Sequence, residues 1–255
     1  MKRIGLGLIV ILLVCTIHTT QAQENSKQLW YCWEEEVHPE HINEYWEYSK
    51  ELAQLCKDEN YKYEFYAWTT GDFKYQYWHP INSLADIDEL EKGWDKIMQK
   101  FGEEKTQKWL KTMKSNYSKT ITEHAELSIR PEANRIPMDS VNYMEFQEFY
   151  IIPGKQKEFR RIMKKAVDHM KAEGHNDTWR VASGELGYNG PVFIGWSFGK
   201  NQVEYLEYDK EFSEKYKDFF EDLNKDFLKI LRTVKAHDSW SYEICLIRKT
   251  EDKIP

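Results

Sequence analysis

The sequence has little of what punctuates or cross-links a chain. Its 255 residues include 4 Cys, 7 Pro and 12 Gly. So few cysteines exclude a small disulfide-scaffolded fold. So few Pro and Gly exclude a collagenous or low-complexity chain. Nor is there an excess of cations: 36 Lys and Arg stand against 43 Asp and Glu, for a net charge of −7. Binding nucleic acid needs a concentrated basic surface, so that class of partner is set aside. The short stripe of Arg160, Arg161, Lys164 and Lys165 reads as a solvated helix face. Beyond Ala22 no apolar run is long enough to span a bilayer.

What is abundant is aromatic. Hydrophobic residues make up 41% and aromatics 15%, with 10 Trp and 16 Tyr. That supplies an ample core and excludes a disordered chain. It is also more ring area than packing alone requires, which points to an aromatic-lined pocket.

The first residues have the pattern of an export signal. Lys2 and Arg3 precede an apolar run from Ile4 to Ile17, and Thr20-Gln21-Ala22 offers small residues for cleavage after Ala22. The expectation is a signal peptide over 1–22 and a periplasmic or extracellular protein free of the membrane after cleavage. Lipidation at Cys15 is the alternative, although Val14 stands where a small residue is wanted. Cleavage leaves Cys32, Cys56 and Cys245, whose spacing matches no zinc pattern. They read as buried free thiols, with one bridge left open.

Along the chain, Gln28–Val37 reads as a strand. Ile42, Tyr45, Trp46, Ser49, Leu52, Ala53 and Cys56 recur at helical spacing. Tyr61–Pro80 reads as an aromatic hairpin about Thr70-Gly71-Asp72. Asn82-Ser83 then opens a helical region, a further helix carries Trp109, Leu110, Met113 and Tyr117, and Ile121–Ile129 reads as a closing strand. Residues 131–140, with Pro131 and Pro137, read as a linker.

The order then repeats. One offset aligns Trp78 with Trp196, Phe101 with Phe219, Trp109 with Phe227, Met113 with Leu231 and Ile129-Arg130 with Ile247-Arg248. Ahead of the hairpin a slightly shorter offset aligns Pro39 with Pro153 and Tyr45 with Phe159. The difference falls in the hairpin turn, which is longer and Gly-rich in the second copy, at Gly184, Gly187 and Gly190. The expected organisation is a first repeat over 23–130 and a second over 141–255.

Each repeat reads β-α-β-β-α-β, the ferredoxin-like order, which leaves one sheet face to be covered. The fold class expected is α+β: two tandem ferredoxin-like repeats packed sheet to sheet as an intramolecular α+β barrel. On this order, the repeat and the Trp78/Trp196 position, residues 28–248 resemble the dimeric α+β barrel superfamily in single-chain form. That superfamily includes monooxygenase-like, stress-responsive and NIPSNAP-like proteins. The resemblance implies a ligand site between the sheet and its own helices or in the barrel mouth, and it admits a homo-oligomer. Haem is possible by that resemblance alone, and the residues themselves call for no cofactor.

The candidate residues come from chemistry. His79, at the end of a hairpin strand, and His124, beside Glu126, are candidate bases or space-filling histidines. The second copy has Ser197 and Tyr242 at those positions, so the copies differ where chemistry would sit. Trp33, Trp68, Tyr77 and Trp78 are candidates to line a pocket for a small apolar or aromatic molecule. Glu34-Glu35-Glu36 alternates faces on a strand and offers no adjacent carboxylate pair. His38 and His41 are poorly spaced for one ion, and no metal site is expected. Three readings remain: an exported ligand-binding barrel, a cofactor-independent monooxygenase-like enzyme with a His base, or a structural protein without a ligand.

Overall fold

Aromatic and β-branched residues alternate along eight strands: β1 (Leu29–Val37), β2 (Tyr66–Thr70), β3 (Lys74–Ile81), β4 (Met113–Glu123), β5 (Tyr143–Ile151), β6 (Trp179–Gly184), β7 (Val192–Gly199) and β8 (Leu231–Ser241). The computed structural model describes residues 27–131 and 134–241. The expected signal segment, Cys15, Cys245 and the Ile247-Arg248 match lie outside the described residues. All ladders are antiparallel, and the strands close into one barrel in the order β1-β3-β2-β8-β5-β7-β6-β4. Two short seams join the halves. In one, Trp68–Thr70 pair with Ser239–Ser241; in the other, Ile121–Glu123 pair with Ala182–Gly184.

Helices cover the outside. α1 (Ile42–Asp58), α2 (Ala85–Phe101) and α3 (Glu103–Thr112) pack on the first half; α4 (Gln156–Ala172), α5 (Gln202–Lys215) and α6 (Lys217–Leu228) pack on the second. β1, β3, β5 and β7 therefore bury residues on both faces, whereas residues 114–118 of β4 and 232–236 of β8 are exposed. On β1, Tyr31, Trp33 and Glu35 face the helices, while Trp30, Cys32 and Glu34 face the barrel interior. The interior core holds Trp78 and Trp196 in one cluster, with the Phe146 ring 5.9 Å from the first and 6.4 Å from the second. The shared Trp position is thus part of the barrel core.

The duplication is visible in the ladders. A register shift falls between Glu36 and Val37 against β4, and its counterpart falls between Tyr150 and Ile151 against β8. Val37 faces Met113 and Ile151 faces Leu231, the residues that the sequence offset pairs. The boundaries of the first closing strand differ from expectation. Met113–Tyr117 starts β4 rather than ending a helix, because pairing with β1 outweighs the helical spacing of Trp109, Met113 and Tyr117. Beyond Glu123 the chain turns through a 3-10 segment, Ala125–Leu127, and Ile129 makes a single bridge to Trp179. Cys32 and Cys56 are buried free thiols. No helix among the described residues is long and apolar enough to cross a membrane.

Candidate functional site

Between the first half-sheet and its helices lies a cavity of about 270 Å³. β1 contributes Tyr31, Trp33 and Glu35, and β3 contributes Tyr77 and His79. These five share one wall because Tyr31 pairs with His79 and Trp33 with Tyr77 across the ladder. Cys56 of α1, Leu90 and Trp94 of α2 and Trp109 of α3 form the opposite wall, and Tyr61 and Phe65 close an end. Glu91 and Asp95, both exposed, make the rim acidic.

His79 is 7% exposed, and its Nδ1 lies 3.1 Å from the Glu64 carbonyl oxygen. A carbonyl only accepts, so Nδ1 carries the proton and Nε2 keeps a bare lone pair. Burial pushes the pKa down to about 4. At neutral pH the ring is an uncharged hydrogen-bond acceptor. It holds a proton too weakly to be the base near pH 7 that its type suggested.

Glu35 is the residue that the sequence reading passed over. It is 1% exposed. The Tyr45 hydroxyl donates to its Oε2 at 2.5 Å, and Trp33 Nε1 donates to Oε1 at 2.8 Å. The Tyr45 and Tyr77 hydroxyls are 2.6 Å apart. With the Tyr45 proton given to Glu35, Tyr77 donates to Tyr45. A chain of hydrogen bonds thus runs from the cavity wall at Tyr77 to a buried carboxyl. Burial raises the Glu35 pKa to about 7, against the lowering effect of its two donors. The signal in the sequence was positional: Glu35 shares a strand face with Trp33 and Val37, which both pack against helices. Its neighbours go elsewhere. Glu34 turns into the barrel toward Gln76 and Lys119, and Glu36 pairs with Lys114 at 2.6 Å.

The other candidates are not at this cavity. Trp78 faces the barrel interior because it neighbours Tyr77 and His79 on a strand of period two. Trp68 is there as well, its ring stacked 6.4 Å from Phe198. Trp33 and Tyr77 do line the cavity. His124 follows β4 and meets the second half: its Nε2 is 3.0 Å from an Arg160 guanidinium nitrogen and 2.8 Å from Ser183 Oγ. Arginine only donates, so the His124 lone pair is already occupied. Burial and the Arg160 charge push its pKa down to about 4. The structure does not bring His79 and His124 together.

The second half has a cavity of about 200 Å³ at the equivalent place, with a different polar set. The Tyr205 hydroxyl donates to Glu145 at 2.8 Å beside Ser197, and His175 and Asp177 join the wall, while the Glu35–Tyr45–Tyr77 chain has no counterpart. Phe149 stands for Glu35, Phe159 for Tyr45, Gly195 for Tyr77 and Ser197 for His79. Phe149 and Phe159 lie 6.0 Å apart in the core of that half.

Among the described residues no group of three or more His, Cys, Asp or Glu could hold a metal ion. Haem, the group that the fold resemblance allows, fits these walls poorly. His79 Nε2 could serve as an axial ligand, but neither cavity has a Lys or Arg on its wall to meet the propionates.

No protein-family model matches the chain, and no curated protein matches it. Solved structures do. An anthrone oxidase-like protein aligns with a TM-score of 0.58 at 12% identity, over 86% of this chain and 93% of its own. A candidate monooxygenase from Lactobacillus acidophilus NCFM aligns at 0.50 and 8% identity, over 84% and 93%. A mutant chlorite dismutase from Candidatus Nitrospira defluvii aligns at 0.50 and 8% identity, over 85% and 92%. At these identities the likeness is one of fold.

Proposed function

From the fold that this chain shares with the ferredoxin-like α+β barrel proteins, we propose that it is a ligand-binding barrel whose site is the first-half cavity. The ligand is a small, flat, apolar or aromatic molecule with one hydroxyl group. The rings of Trp33, Trp94 and Trp109 offer apolar faces, and His79 Nε2 offers one acceptor for the hydroxyl proton. The observation that carries this reading is the contrast between halves. The first cavity holds the Glu35–Tyr45–Tyr77 chain and the His79 acceptor where the second half has Phe149, Phe159, Gly195 and Ser197, and the second cavity is polar through other residues, Glu145 and Tyr205 among them. The space between sheet and helices is also unfilled, which counts against a purely structural barrel. The test is a titration with 2-naphthol, read by tryptophan fluorescence. Saturable quenching, weakened about tenfold by His79→Ala and untouched by Trp68→Ala, supports the reading. Absence of saturable quenching removes it.

A second reading, enzymatic, rests on Glu35. A general base works best with a pKa near the operating pH, and Glu35, not His79, meets that condition. A substrate proton passes to the Tyr77 oxygen as Tyr77 hands its own to Tyr45 and Tyr45 hands its own to the Glu35 carboxylate. The substrate is left as an anion and Glu35 as a neutral acid. Anthrone, the substrate type suggested by one structural neighbour, is the probe: exchange of its acidic C–H in D2O should fall at least a hundredfold in Glu35→Gln. Exchange unchanged by that substitution rules the relay out.

Export after cleavage at Ala22 is part of the same reading, since the charged start, apolar run and small residues support it. The mass of the mature N-terminus in a periplasmic or extracellular fraction tests it.

A further inference from the structure

A third cavity, of about 180 Å³, lies at one end of the barrel interior and is built by both halves. From the first half, the Lys119 Nζ lies 3.0 Å from Glu34 Oε2 and 5.7 to 5.9 Å from the rings of Trp78, Tyr188 and Phe146. That ion pair is complete in itself. From the second half come Glu148 and Lys235, directly opposite each other across the β5–β8 ladder. They form no ion pair. Glu148, 7% exposed, accepts only the Tyr150 hydroxyl at 2.9 Å, and the Lys235 Nζ stands 4.9 Å over the Tyr150 ring. The Lys119 ammonium acts on Glu148 from across the cavity without pairing with it. A buried carboxylate without a direct ion pair is costly, and cross-strand opposite charges ordinarily close on each other. Here they are held apart, facing a space.

The turn between β6 and β7 supplies a third group. It is the turn that is longer in the second repeat. Backbone bonds fix it to β4: Glu185 N donates to Thr120 O at 2.9 Å, and Thr120 N donates to Leu186 O at 3.1 Å. Gly187, at φ +82°, comes so near the strand that a Cβ would stand 2.6 Å from the Ser118 oxygen. The turn thereby carries the Tyr188 ring into the barrel end, where its hydroxyl is buried without a hydrogen-bond partner. Buried hydroxyls are seldom left so.

We propose that this barrel end binds a small zwitterion of the α-amino-acid class. Its ammonium meets Glu148, and its carboxylate meets the Lys235 ammonium and the Tyr188 hydroxyl. A plain anion would leave Glu148 without a direct ion-pair partner. A plain amine would leave Lys235 and Tyr188 without an acceptor. Only a ligand with both charges satisfies all three groups, and a cavity of this size has room for a small one.

The test is calorimetric titration of the full mature chain with glycine, L-alanine, acetate and ethylamine. The proposal requires saturable binding of an amino acid, at least about tenfold tighter than of acetate or ethylamine. It also requires loss of that binding in both Glu148→Gln and Lys235→Met. Lys235 is exposed, so its substitution leaves the fold intact, and near-ultraviolet dichroism checks both variants. His79→Ala should leave amino-acid binding unchanged, which separates this site from the first-half cavity. Three results overturn the proposal: no saturable heat to roughly 10 mM amino acid, equal binding of acetate, or binding indifferent to both substitutions.

Discussion

Glu35 and Phe149 hold the same place in the two halves, on the helix-facing side of the first strand, just ahead of the same register shift. One is a buried carboxyl bonded to a tyrosine, and the other is packed near a phenylalanine. That exchange confines the buried Tyr–Glu chain of the first strand to one cavity, while the other takes its polar groups from Glu145 and Tyr205.

The buried carboxyl makes stability depend on pH. Glu35 has a pKa of about 7 in the fold against an ordinary value of 4.5. Below pH 4.5 both folded and unfolded states hold the proton, and Glu35 costs nothing. As pH rises from 4.5 to 7 the unfolded state releases its proton first, so the fold loses stability, by about 3 kcal/mol at roughly 1.4 kcal/mol per pH unit. Urea denaturation at pH 5 and pH 8 should show Glu35→Gln losing less stability over that interval than the parent protein. Equal slopes would place the Glu35 pKa near its ordinary value.

His79 should behave oppositely. With its pKa down at about 4, it stays neutral while an unfolded histidine takes up a proton below pH 6.5. Its contribution is therefore whole above pH 6.5 and lost as pH falls toward 4. Nitrogen NMR of the imidazole should show Nδ1 protonated and Nε2 bare down to pH 5. A charged ring at pH 6 contradicts the assignment.

Tyr45→Phe leaves Glu35 Oε2 without its donor and should cost about 1–3 kcal/mol. Adding Glu35→Phe recreates the phenylalanine pair of the second half. The double variant should recover much of that loss, with a coupling of about 0.5–3 kcal/mol in urea denaturation. Additive losses would mean that the hydroxyl and carboxyl act separately.

Trp78 and Trp33 should separate stability from binding. Trp78→Ala opens the barrel core and should cost about 3–5 kcal/mol. Trp33→Phe keeps an apolar ring on a cavity wall but removes the donor to Glu35 Oε1, so it should cost less, about 1–3 kcal/mol. It should nonetheless weaken 2-naphthol binding in the fluorescence titration. A thermal scan reporting the reverse order of stability would contradict the assignment of faces.

Gly187→Ala should cost at least about 1–2 kcal/mol, the price of a side chain in left-handed backbone, with contact against the Ser118 oxygen adding to it. Chemical denaturation measures the loss. A neutral substitution would mean that the turn does not dock on β4 as described.

Much of this architecture was legible in the residues. The pairing of Trp78 with Trp196 and of Met113 with Leu231 came from one sequence offset, and the ladders keep it. Period two explains why Tyr77 and His79 reach the cavity while Trp78 does not, although all three lie in one aromatic run. Three things were not legible. Met113–Tyr117 has helical spacing, and only its partner β1 makes it a strand. Glu35 sits in a run of three glutamates, and its burial follows from helices that pack over it from elsewhere in the chain. Tyr188 sits in a glycine-rich turn, where sequence gives no sign that the turn folds back on β4.

Two copies of one sequence that close a barrel as separate chains must carry every substitution twice. Here the seams at β2–β8 and β4–β6 close within a single chain. A change in one half is no longer imposed on the other. The first half could keep a buried Glu35–Tyr45 pair while the second packed Phe149 and Phe159 in its place and lengthened one turn. Joining the copies lets one half be specialised at the stability provided by its twin.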